Sequence, residues 1–476
     1  MFDVAVIGGG VVGGLVLREL TKYKLNVCLL EKESDVAMGA SKANSGIVHA
    51  GFDAPTGSNK AKFNVLGNKM MESVTAELGV KFRRNGSLVV AFSEEDIKTL
   101  ATLRARGEEN GVEGLEIIDG ARLREMEKNI SDAALAALYA PTGGIVCPYE
   151  LTIAAIGNAM DNGAELFTDF AVKKIGQEND GYVLIAENGR EVKAKAVINC
   201  AGLYSGKIAE MIGDNDINVS ARKGEYILLD RECGDFVSHT LFFTPTPKGK
   251  GVLITQTVDG NILIGPTASE QADGNTETSA YGLFFVMEKA MQICKKPPFS
   301  NIITSFAGVR AYSDRHDFII EKSKKAKGFI HCAGIESPGL TASPAIAEYV
   351  VKTLVGSLLA LERNESFNGT RMPDGYFKDL PIEEKNKIIE RDPSYGKIVC
   401  RCERITEGEI LRSLRVNPPA TDIDGVKRRT RSGMGRCQGG FCQPHIAELI
   451  AKERGVTLTE VMKNGEGSNL LVGVTK

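Results

Sequence analysis

The sequence lacks the features that mark membrane-spanning, secreted and nucleic-acid-binding proteins. Its 476 residues contain no apolar run that approaches the roughly 20 residues a helix needs to span a bilayer. The net charge of −3 gives no reason to expect nucleic acid or an anionic membrane as a partner. The stretch FDVAVIGGG begins at Phe2 and is typical of a core strand, not of a signal peptide. We therefore expect a cytoplasmic protein with no direct membrane span, associated with a membrane only through partners.

The length and the cysteines set further limits. A chain of 476 residues with 43% hydrophobic content is expected to form two or three domains. Six of the ten cysteines are scattered, and several lie in apolar strand-like runs, so we interpret them as buried small hydrophobic residues in a reducing compartment. The four others lie within 43 residues near the C-terminus and need a separate explanation. The scattered six are Cys28, Cys147, Cys200, Cys233, Cys294 and Cys332.

A nucleotide-binding pattern opens the chain. The apolar run DVAVI is followed by G-x-G-x-x-G at Gly8, Gly10 and Gly13 and then by a helical pattern. Glycines at these positions allow a tight turn and let backbone amides approach a pyrophosphate at the N-terminus of a helix. A second apolar run, NVCLLEK, places Glu31 18 residues beyond Gly13, where its carboxylate can accept hydrogen bonds from both ribose hydroxyls of an adenosine. Together these features predict dinucleotide binding.

Two later stretches favour a flavin over a nicotinamide. Residues 194–205, AKAVINCAGLYS, form an apolar run that ends in Ala201 and Gly202, a turn expected to pack near the nucleotide phosphates. Residues 328–356 predict a strand, a glycine-containing loop and a helix in which Ser343 is the N-cap and Pro344 occupies the first position. The positive end of such a helix suits the electron-rich pyrimidine end of a reduced flavin.

Residues 1 to about 355 resemble the FAD-dependent oxidoreductases of the D-amino-acid oxidase-like superfamily. This group includes glycerol-3-phosphate dehydrogenases, L-2-hydroxyglutarate oxidases, and glycine or sarcosine oxidases. The resemblance implies an α/β, Rossmann-like FAD-binding domain with an inserted α+β substrate domain. It places Val172, from FTDFAVKKI, in a strand that touches the adenine. The residues that it implies around FAD are Gly8, Gly10, Gly13, Glu31, Ser41, Ser45, Val172, Ala201, Gly202, Gly334 and Leu340.

The expected domains are discontinuous. A small helical C-terminal domain is expected over residues 397–460, with a tail over 461–476. Residues 357–396 turn polar and lose regular pattern, which predicts a linker. The FAD-binding domain is expected to comprise residues 1–80, 141–215 and 305–356, and the substrate domain residues 81–140 and 216–304.

Three basic residues are candidates for the substrate end of the site. His49, in the HAG element, belongs to a loop that runs beneath the isoalloxazine in the resembling families; it is either a base for a substrate hydroxyl or a structural histidine. Lys60 matches a lysine of the hydroxyglutarate oxidases and is either a carboxylate or phosphate partner or a solvated side chain. Arg310, in the GVR element, reaches the anionic group of the substrate in relatives, and an interdomain salt bridge is the alternative.

The sequence departs from the anaerobic glycerol-3-phosphate dehydrogenases at one informative place. Those enzymes carry an arginine shortly after their HSG element, whereas the stretch HAGFDAP has Asp53 there. An acid at this position would repel a phosphate. The stretches GSNKAKF and RKGEY align better with the 2-hydroxyglutarate group, which therefore stays open as an alternative.

The four clustered cysteines are Cys400, Cys402, Cys437 and Cys442, in the pattern C-x-C, a 34-residue interval and C-x-x-x-x-C. Zinc, disulfides and a 2Fe–2S cluster are the candidate explanations. A C-x-C pair is cramped for one tetrahedral zinc ion, and disulfides do not suit the cytosol. A 2Fe–2S cluster takes two ligands per iron, so that one pair of neighbouring cysteines for each iron fits the spacing.

Helices are expected to hold the two cysteine loops face to face. The capping box TEGE, from Thr406 to Glu409, predicts one helix in the interval, and Pro444 and Gly455 mark the start and the end of another. The interval and the stretch TRSGMGRCQGGFC resemble the bacterioferritin-associated-ferredoxin-like domain, especially as it is fused to anaerobic glycerol-3-phosphate dehydrogenase. The resemblance implies that the four cysteines bind a 2Fe–2S cluster.

A basic run, VKRRTRSGMGR, precedes the last two cysteines. A 2Fe–2S cluster with four thiolates carries a charge of about −2. We interpret the run as compensation for that charge and as a surface for an acidic electron partner. Nucleic-acid binding is not expected, because interleaved aromatics and a binding module are missing. The cations of the run are Lys427, Arg428, Arg429, Arg431 and Arg436.

These features predict an FAD-dependent dehydrogenase of a small anionic hydroxy compound. The first candidate is oxidation of glycerol 3-phosphate to dihydroxyacetone phosphate by hydride transfer to the flavin, with electrons leaving through the 2Fe–2S cluster to a protein acceptor or partner subunit. Arg310 would hold the anion, and His49 is the favoured base. The alternatives are L-2-hydroxyglutarate dehydrogenation, an amino-acid or amine dehydrogenase subunit, and an electron-transfer subunit with a vestigial substrate pocket.

Overall fold

The computed structural model describes residues 1–178, 181–245, 251–372 and 377–473. Within this part of the chain the strands are, in order, β1 (Phe2–Ile7), β2 (Val27–Leu30), β3 (Ile47–Val48), β4 (Phe82–Arg83), β5 (Ser87–Ala91), β6 (Glu116–Asp119), β7 (Ala136–Ala140), β8 (Gly144–Val146), β9 (Glu165–Phe167), β10 (Val172–Glu178), β11 (Gly181–Ala186), β12 (Glu191–Asn199), β13 (Val219–Leu229), β14 (Thr240–Phe243), β15 (Leu253–Gln256), β16 (Ile262–Gly265), β17 (Ser269–Gln271), β18 (Ile302–Ser313), β19 (Ile319–Lys322), β20 (Phe329–Ala333), β21 (Ile398–Cys400) and β22 (Ile405–Thr406).

The α-helices alternate with these strands in the first half of the chain and dominate its C-terminal part. None of the helices in the described ranges is both long and apolar enough to cross a membrane. In chain order they are α1 (Val11–Leu20), α2 (Asn59–Glu77), α3 (Glu94–Glu109), α4 (Gly120–Met126), α5 (Pro148–Asp161), α6 (Ser205–Glu210), α7 (Ala280–Ile293), α8 (Gly339–Tyr349), α9 (Ile382–Arg391), α10 (Glu407–Ser413), α11 (Ile423–Thr430) and α12 (Gln443–Arg454).

The first sheet has a parallel centre in the order β9–β2–β1–β12–β20. The hairpin β10–β11 extends it along β12, and β19 pairs antiparallel with β20. Strand β2 is buried along its whole length, as expected where both faces of a parallel sheet are covered. The carboxyl ends of the parallel strands meet at one edge of the sheet, so that Gly8, Glu31 and Ala201 come close together there, as in doubly wound nucleotide-binding folds.

The second sheet is mixed and has the order β17–β13–β16–β15–β14–β5–β7–β6, with β18 on the other edge of β13. Its strands come from two separate stretches of the chain, and α7 packs on one face of it. The predicted fold class, a Rossmann-like domain combined with an α+β domain and a helical C-terminal domain, is confirmed. Because β18 pairs with β13 from Ile302 to Ser313, the expected domain boundary at residue 305 lies inside a strand of this second sheet.

The segment expected to be a featureless linker contains a helix. Of residues 357–396, the structure describes all but 373–376, and α9 occupies ten of them. Glu383 and Glu384 lie in its first turn and Arg391 in its last, where these charges complement the helix dipole. The helix buries none of its residues.

The C-terminal domain packs α10, α11 and α12 around one apolar core. The predicted capping box is present, since the Thr406 side chain accepts from the Glu409 amide while the Glu409 side chain accepts from the Thr406 amide. Helix α12 ends at Arg454 with Gly455 in the left-handed conformation, as predicted. The tail continues this domain, because Val461 is buried in the core and the Ile423 amide donates to the Met462 carbonyl at 3.2 Å.

The predicted start of the helix after β20 is wrong. Helix α8 begins at Gly339, so Ser343 and Pro344 lie inside it. A proline in this position leaves the carbonyl of Leu340, four residues earlier, without its usual amide donor. The hydroxyl of Ser343 donates to that carbonyl at 2.7 Å. This local replacement allows the helix to run through the proline.

Candidate active site

A cavity of about 1210 Å³ lies at the carboxyl edge of the first sheet and against strands β13 and β18 of the second. Its volume exceeds the range of roughly 300–1,000 Å³ that is usual for a small-molecule site, so it has room for a dinucleotide together with a small substrate. Of the residues predicted around FAD and substrate, only Gly13 and Gly334 do not line it. Those that do are Gly8, Gly10, Glu31, Ser41, Ser45, His49, Lys60, Val172, Ala201, Gly202, Arg310 and Leu340.

The two glycines outside the lining act through close packing. A Cβ on Gly13 would lie 2.0 Å from the Gly8 carbonyl oxygen, so glycine at 13 is what allows α1 to start so close to β1. Gly334 follows β20 with a φ of +63°, and a Cβ there would lie 2.5 Å from the Cβ of Ser313. Gly334 therefore brings the loop that leads to α8 against the end of β18.

The turn between β1 and α1 is shaped for a phosphate. Gly8 has a φ of +107°, and a Cβ on it would lie 2.4 Å from the Cys200 carbonyl oxygen. Helix α1 begins at Val11 after Gly10, with no side-chain cap from Gly10 itself. The amide of Val11 donates to Ser41 Oγ at 2.9 Å, which ties the loop after β2 to the helix start. A glycine turn at a helix N-terminus fits a pyrophosphate.

Glu31 follows β2 and lies beside this turn. Its Oε2 accepts from the Gly9 amide at 2.7 Å, and its Oε1 accepts from the Glu33 amide at 2.9 Å. Burial raises the pKa of the Glu31 carboxyl, although both amide bonds favour the ionised form. A carboxylate held in this way at the strand end fits a ribose diol, as the sequence predicts.

Helix α8 begins beside His49, the residue that follows β3. Thr341 Oγ1 accepts from the His49 amide at 2.9 Å and donates to the Ile47 carbonyl at 3.3 Å. The His49 ring lies 5.9 Å from the Phe242 ring, and its Nε2 lies 3.3 Å from Ser337 Oγ. The His49 ring therefore lines the cavity while its backbone is fixed. Sequence reasoning missed Thr341, which no local motif distinguishes.

Lys60 is neither solvated nor free for a substrate anion. Its Nζ lies 2.9 Å from Glu336 Oε1, and both side chains are nearly buried at 13% and 11% exposure. Its backbone amide donates to Asp317 Oδ1 at 2.9 Å. A substrate anion would therefore compete with Glu336 for this lysine. The side chain joins α2 to the loop before α8.

Arg310 and Asp53 both line the cavity. Arg310 donates through Nη2 to the Thr267 carbonyl at 2.7 Å, and no ion pair joins it to a carboxylate within the described ranges. The interdomain salt bridge considered as its alternative role is therefore not seen there. The guanidinium keeps further donors for a ligand. The Asp53 carbonyl accepts from Arg106 Nη1 at 2.9 Å, which fixes its backbone.

The four clustered cysteines form two close pairs that differ from the sequence-adjacent ones. Cys402 Sγ lies 3.4 Å from Cys437 Sγ, and Cys400 shares a hydrogen bond with Cys442. That bond lowers the pKa of Cys400 to about 6. Cys400 and Cys442 are buried, whereas Cys402 and Cys437 are partly exposed.

This pairing suits a two-iron cluster better than a single ion. A single tetrahedral zinc ion needs four ligands around one point, whereas a 2Fe–2S cluster takes two thiolates at each of two irons. The four thiols present therefore fit such a cluster.

Most of the basic run joins domains instead of facing solvent. Arg428 and Arg429 are buried and contact Asp35, in the loop after β2. Arg431 is also buried and contacts Asp259 at 2.7 Å. The interpretation of the run as a docking surface is wrong for these three arginines. Sequence reasoning missed Asp35, because its basic partners, Arg428 and Arg429, lie almost 400 residues away from it in the chain.

The site defines a flavoprotein with an appended iron–sulfur domain, and comparisons with known proteins agree. The DAO model, FAD dependent oxidoreductase, matches residues 3–353, and the model of the BFD-like [2Fe-2S] binding domain matches residues 398–452. The chain belongs to the FAD dependent oxidoreductase family. The predicted enzyme class and the predicted cofactors, FAD and a 2Fe–2S cluster, are confirmed.

Three relatives match different shares of this chain. It is 48% identical to the glycerol 3-phosphate dehydrogenase of Caloramator mitchellensis, over 100% of this chain and 99% of that protein. It is 31% identical to an L-2-hydroxyglutarate dehydrogenase of Escherichia coli over 56% of this chain and 64% of that one. The structure of the dithionite-reduced L-α-glycerophosphate oxidase of Mycoplasma pneumoniae with FAD bound matches with a TM-score of 0.74 and 28% identity, over 80% of this chain and 99% of that one.

Proposed function

We propose that this protein is a dehydrogenase that oxidises glycerol 3-phosphate to dihydroxyacetone phosphate and passes the electrons through its C-terminal domain to another protein. The observation that carries the proposal is the similarity to a glycerol 3-phosphate dehydrogenase along the whole chain, iron–sulfur domain included. The similarity to the L-α-glycerophosphate oxidase supports the same substrate for the FAD and substrate domains. The additional one-electron carrier favours a protein acceptor over oxygen.

Different residues of the cavity would hold different parts of the FAD cofactor. Glu31 would hold the adenosine ribose, and the turn from Gly8 to Gly10 would hold the pyrophosphate. The start of α8 and the loop from Ser41 to Ser45 would hold the flavin end. When bound, FAD supplies a hydride acceptor for the carbinol carbon, and the 2Fe–2S cluster supplies one-electron transfer. Cys400, Cys402, Cys437 and Cys442 would hold that cluster.

Two side chains are proposed to act on the substrate itself. Arg310 binds the anionic group of the substrate, because it lines the cavity and has further guanidinium donors besides the one that bonds to the Thr267 carbonyl. His49 takes the proton of the hydroxyl group as the hydride leaves the same carbon. Its backbone bonds to Thr341, Asn64 and Asn68 hold the ring in place at the cavity wall. Removal of one hydride and one proton converts the secondary alcohol to the ketone.

L-2-hydroxyglutarate is the second candidate substrate. Asp53 lines the cavity and would repel a phosphate that came near it. The similarity to an L-2-hydroxyglutarate dehydrogenase points the same way, although it covers 56% of this chain, against 100% for the glycerol 3-phosphate dehydrogenase.

The test is anaerobic bleaching of the oxidised flavin absorbance. Glycerol 3-phosphate, L-2-hydroxyglutarate and uncharged glycerol are added separately to the purified, FAD-loaded protein. The proposal expects rapid bleaching by glycerol 3-phosphate and far slower bleaching by the other two. Bleaching by L-2-hydroxyglutarate alone would transfer the assignment to that substrate. If a reduced partner protein bleaches the flavin and neither substrate does, the chain is an electron-transfer subunit.

A further inference from the structure

Strands β13 and β18 present an unusual set of residues to the cavity. Their antiparallel register pairs Arg222 with Arg310 directly across the strands. Residues paired in this way project from the same face of a sheet, with their Cβ atoms about 4.5–5.5 Å apart. Both arginines line the cavity. Two cations therefore stand side by side at its wall.

The next pair along the same face consists of Gly224 and Gly308. Because neither residue has a side chain, neighbouring groups can approach the sheet closely there. A Cβ on Gly224 would lie 2.6 Å from Arg310 Nη2, so a larger residue would displace the guanidinium. A Cβ on Gly308 would lie 1.8 Å from the carbonyl oxygen of Ala43, in the loop proposed to hold the flavin end. The glycines thus allow Arg310 and that loop to approach the same patch of sheet.

Each arginine is held in place without a buried carboxylate partner among the described residues. Arg310 donates to the Thr267 carbonyl. The Arg222 guanidinium lies 4.0 Å from the centre of the Tyr312 ring, a stacking contact that leaves its edge donors available. Its one acidic neighbour there, Glu270, is 3.9 Å away, and the Glu270 side chain is 89% exposed. Such a pair contributes little to neutralising the charge.

Like charges placed directly opposite each other on neighbouring strands are destabilising. An anion bound between the two arginines would therefore stabilise this arrangement. A phosphate monoester carries about −1.5 to −2 charge at pH 7 and offers three acceptor oxygens. A carboxylate carries a single charge. Two guanidinium groups with free donors match the dianion better than the monoanion.

We infer that Arg222 is a second phosphate-binding residue, which together with Arg310 selects a phosphate monoester over a carboxylate substrate. The inference rests on the proposed function and specifies which part of the substrate is recognised. It also accounts for Asp53. The anaerobic glycerol-3-phosphate dehydrogenases carry an arginine near that position. In this chain Arg222, on β13, supplies the cation instead, so Asp53 does not prevent phosphate binding.

The test measures phosphate affinity apart from turnover. The FAD-loaded protein is titrated calorimetrically with inorganic phosphate and, separately, with glutarate as a dicarboxylate. Arg222→Met is expected to weaken phosphate binding by about 30-fold or more, because a charged partner is removed and the second arginine is left facing the anion alone. Arg222→Lys should lie between wild type and Arg222→Met, since it restores the charge but not the fork. The ratio of kcat/KM for glycerol 3-phosphate to that for glycerol should fall in the same order.

Arg122→Met is the matched control, because Arg122 is an exposed arginine of the substrate domain that does not line the cavity and pairs with Glu116 at its surface. It should leave phosphate affinity unchanged. Flavin content and circular dichroism establish that each variant is folded. The inference is overturned if Arg222→Met changes the phosphate Kd less than threefold, if glutarate binding falls as much as phosphate binding, or if the wild type binds no phosphate. Loss of phosphate affinity in Arg222→Met without wild-type bleaching by glycerol 3-phosphate would reject the proposed substrate but keep the arginine pair.

Discussion

Asp35 accepts two parallel hydrogen bonds from Arg429, with Nη1 donating to Oδ2 at 2.8 Å and Nη2 donating to Oδ1 at 2.9 Å. Both side chains are almost fully buried. Asp35 lies four residues after Glu31 in the loop that leads to Ser41, and Arg429 lies in α11 of the C-terminal domain. The bond therefore joins the loop after β2 to the domain that carries the cysteines.

Arg428 strengthens this junction by donating to Asp35 Oδ2 at 2.6 Å. Burial alone would favour the neutral acid, but the charges and hydrogen bonds of Arg429 and Arg428 hold the pKa of Asp35 well below its usual range. Asp35→Asn would remove the carboxylate charge that both buried guanidinium groups contact. We expect it to lower the free energy of unfolding by about 3–5 kcal/mol, measured by urea titration. Asp132→Asn, which breaks an exposed pair with Lys295, should change it by no more than about 1 kcal/mol.

The same carboxylate predicts an acid sensitivity. Because the folded pKa of Asp35 is depressed, its stabilisation is fully present above the unfolded pKa, roughly 3.9, and is lost as the pH falls toward the folded pKa. The wild-type protein should therefore lose stability below about pH 4 more steeply than Asp35→Asn. Equilibrium unfolding at several pH values from 3 to 7 measures both slopes. Equal slopes in the two proteins would show that these arginines do not lower the pKa of Asp35.

The partly exposed thiol pair offers a test of the cluster ligands. Cys402→Ser should reduce iron content and abolish the 2Fe–2S visible absorption and electron paramagnetic resonance signal, since one iron loses a thiolate. Substrate should still bleach the flavin in this variant, because the nucleotide and substrate residues are unchanged. Cys233→Ser is the control, as Cys233 is a partly exposed thiol that donates to the Asp230 carbonyl and belongs to neither of the two thiol pairs. A full cluster complement in Cys402→Ser would exclude Cys402 as a ligand.

His49 is expected to contribute through proton transfer. His49→Gln should lower kcat with glycerol 3-phosphate by about 10²–10⁴-fold, with flavin content unchanged. The acidic limb of the kcat/KM profile should also disappear, because that limb reports protonation of the base. His445→Gln, at an exposed histidine of α12, should have no effect on either. A His49→Gln enzyme with normal kcat and an intact acidic limb would support the structural role instead.

Local patterns predicted the turn after β1 and the acid after β2 because both are local features of the chain. Gly8, Gly10 and Gly13 are required by one turn, and Glu31 lies at the end of the adjoining strand. The same holds for the capping box at Thr406, which involves four consecutive residues. Local reasoning failed at α8, where a typical start signal, serine before proline, proved to lie inside a helix because Ser343 bonds to the carbonyl that Pro344 leaves without a donor.

The substrate half and the iron–sulfur half depended on contacts between distant parts of the chain. No pattern near Arg222 shows that it faces Arg310, 88 residues later, since strand register is a property of the folded sheet. The pairing of Cys402 with Cys437, and not with Cys400, depends on how two loops meet over α10 and α12. The ion pair of Lys60 with Glu336 likewise joins elements that are remote in sequence.

By itself, then, the sequence determined the class of the protein: it has the glycine turn and the acid typical of a dinucleotide site, four clustered cysteines and a basic run beside them. Only the tertiary structure decided what the charges do. It turned three arginines of the basic run inward against Asp35 and Asp259, and it set Arg222 beside Arg310 at the cavity wall. The physical reason is that turns and caps are stabilised by neighbours in the chain, whereas the role of a long charged side chain depends on which partners the packing brings within a few ångströms of it.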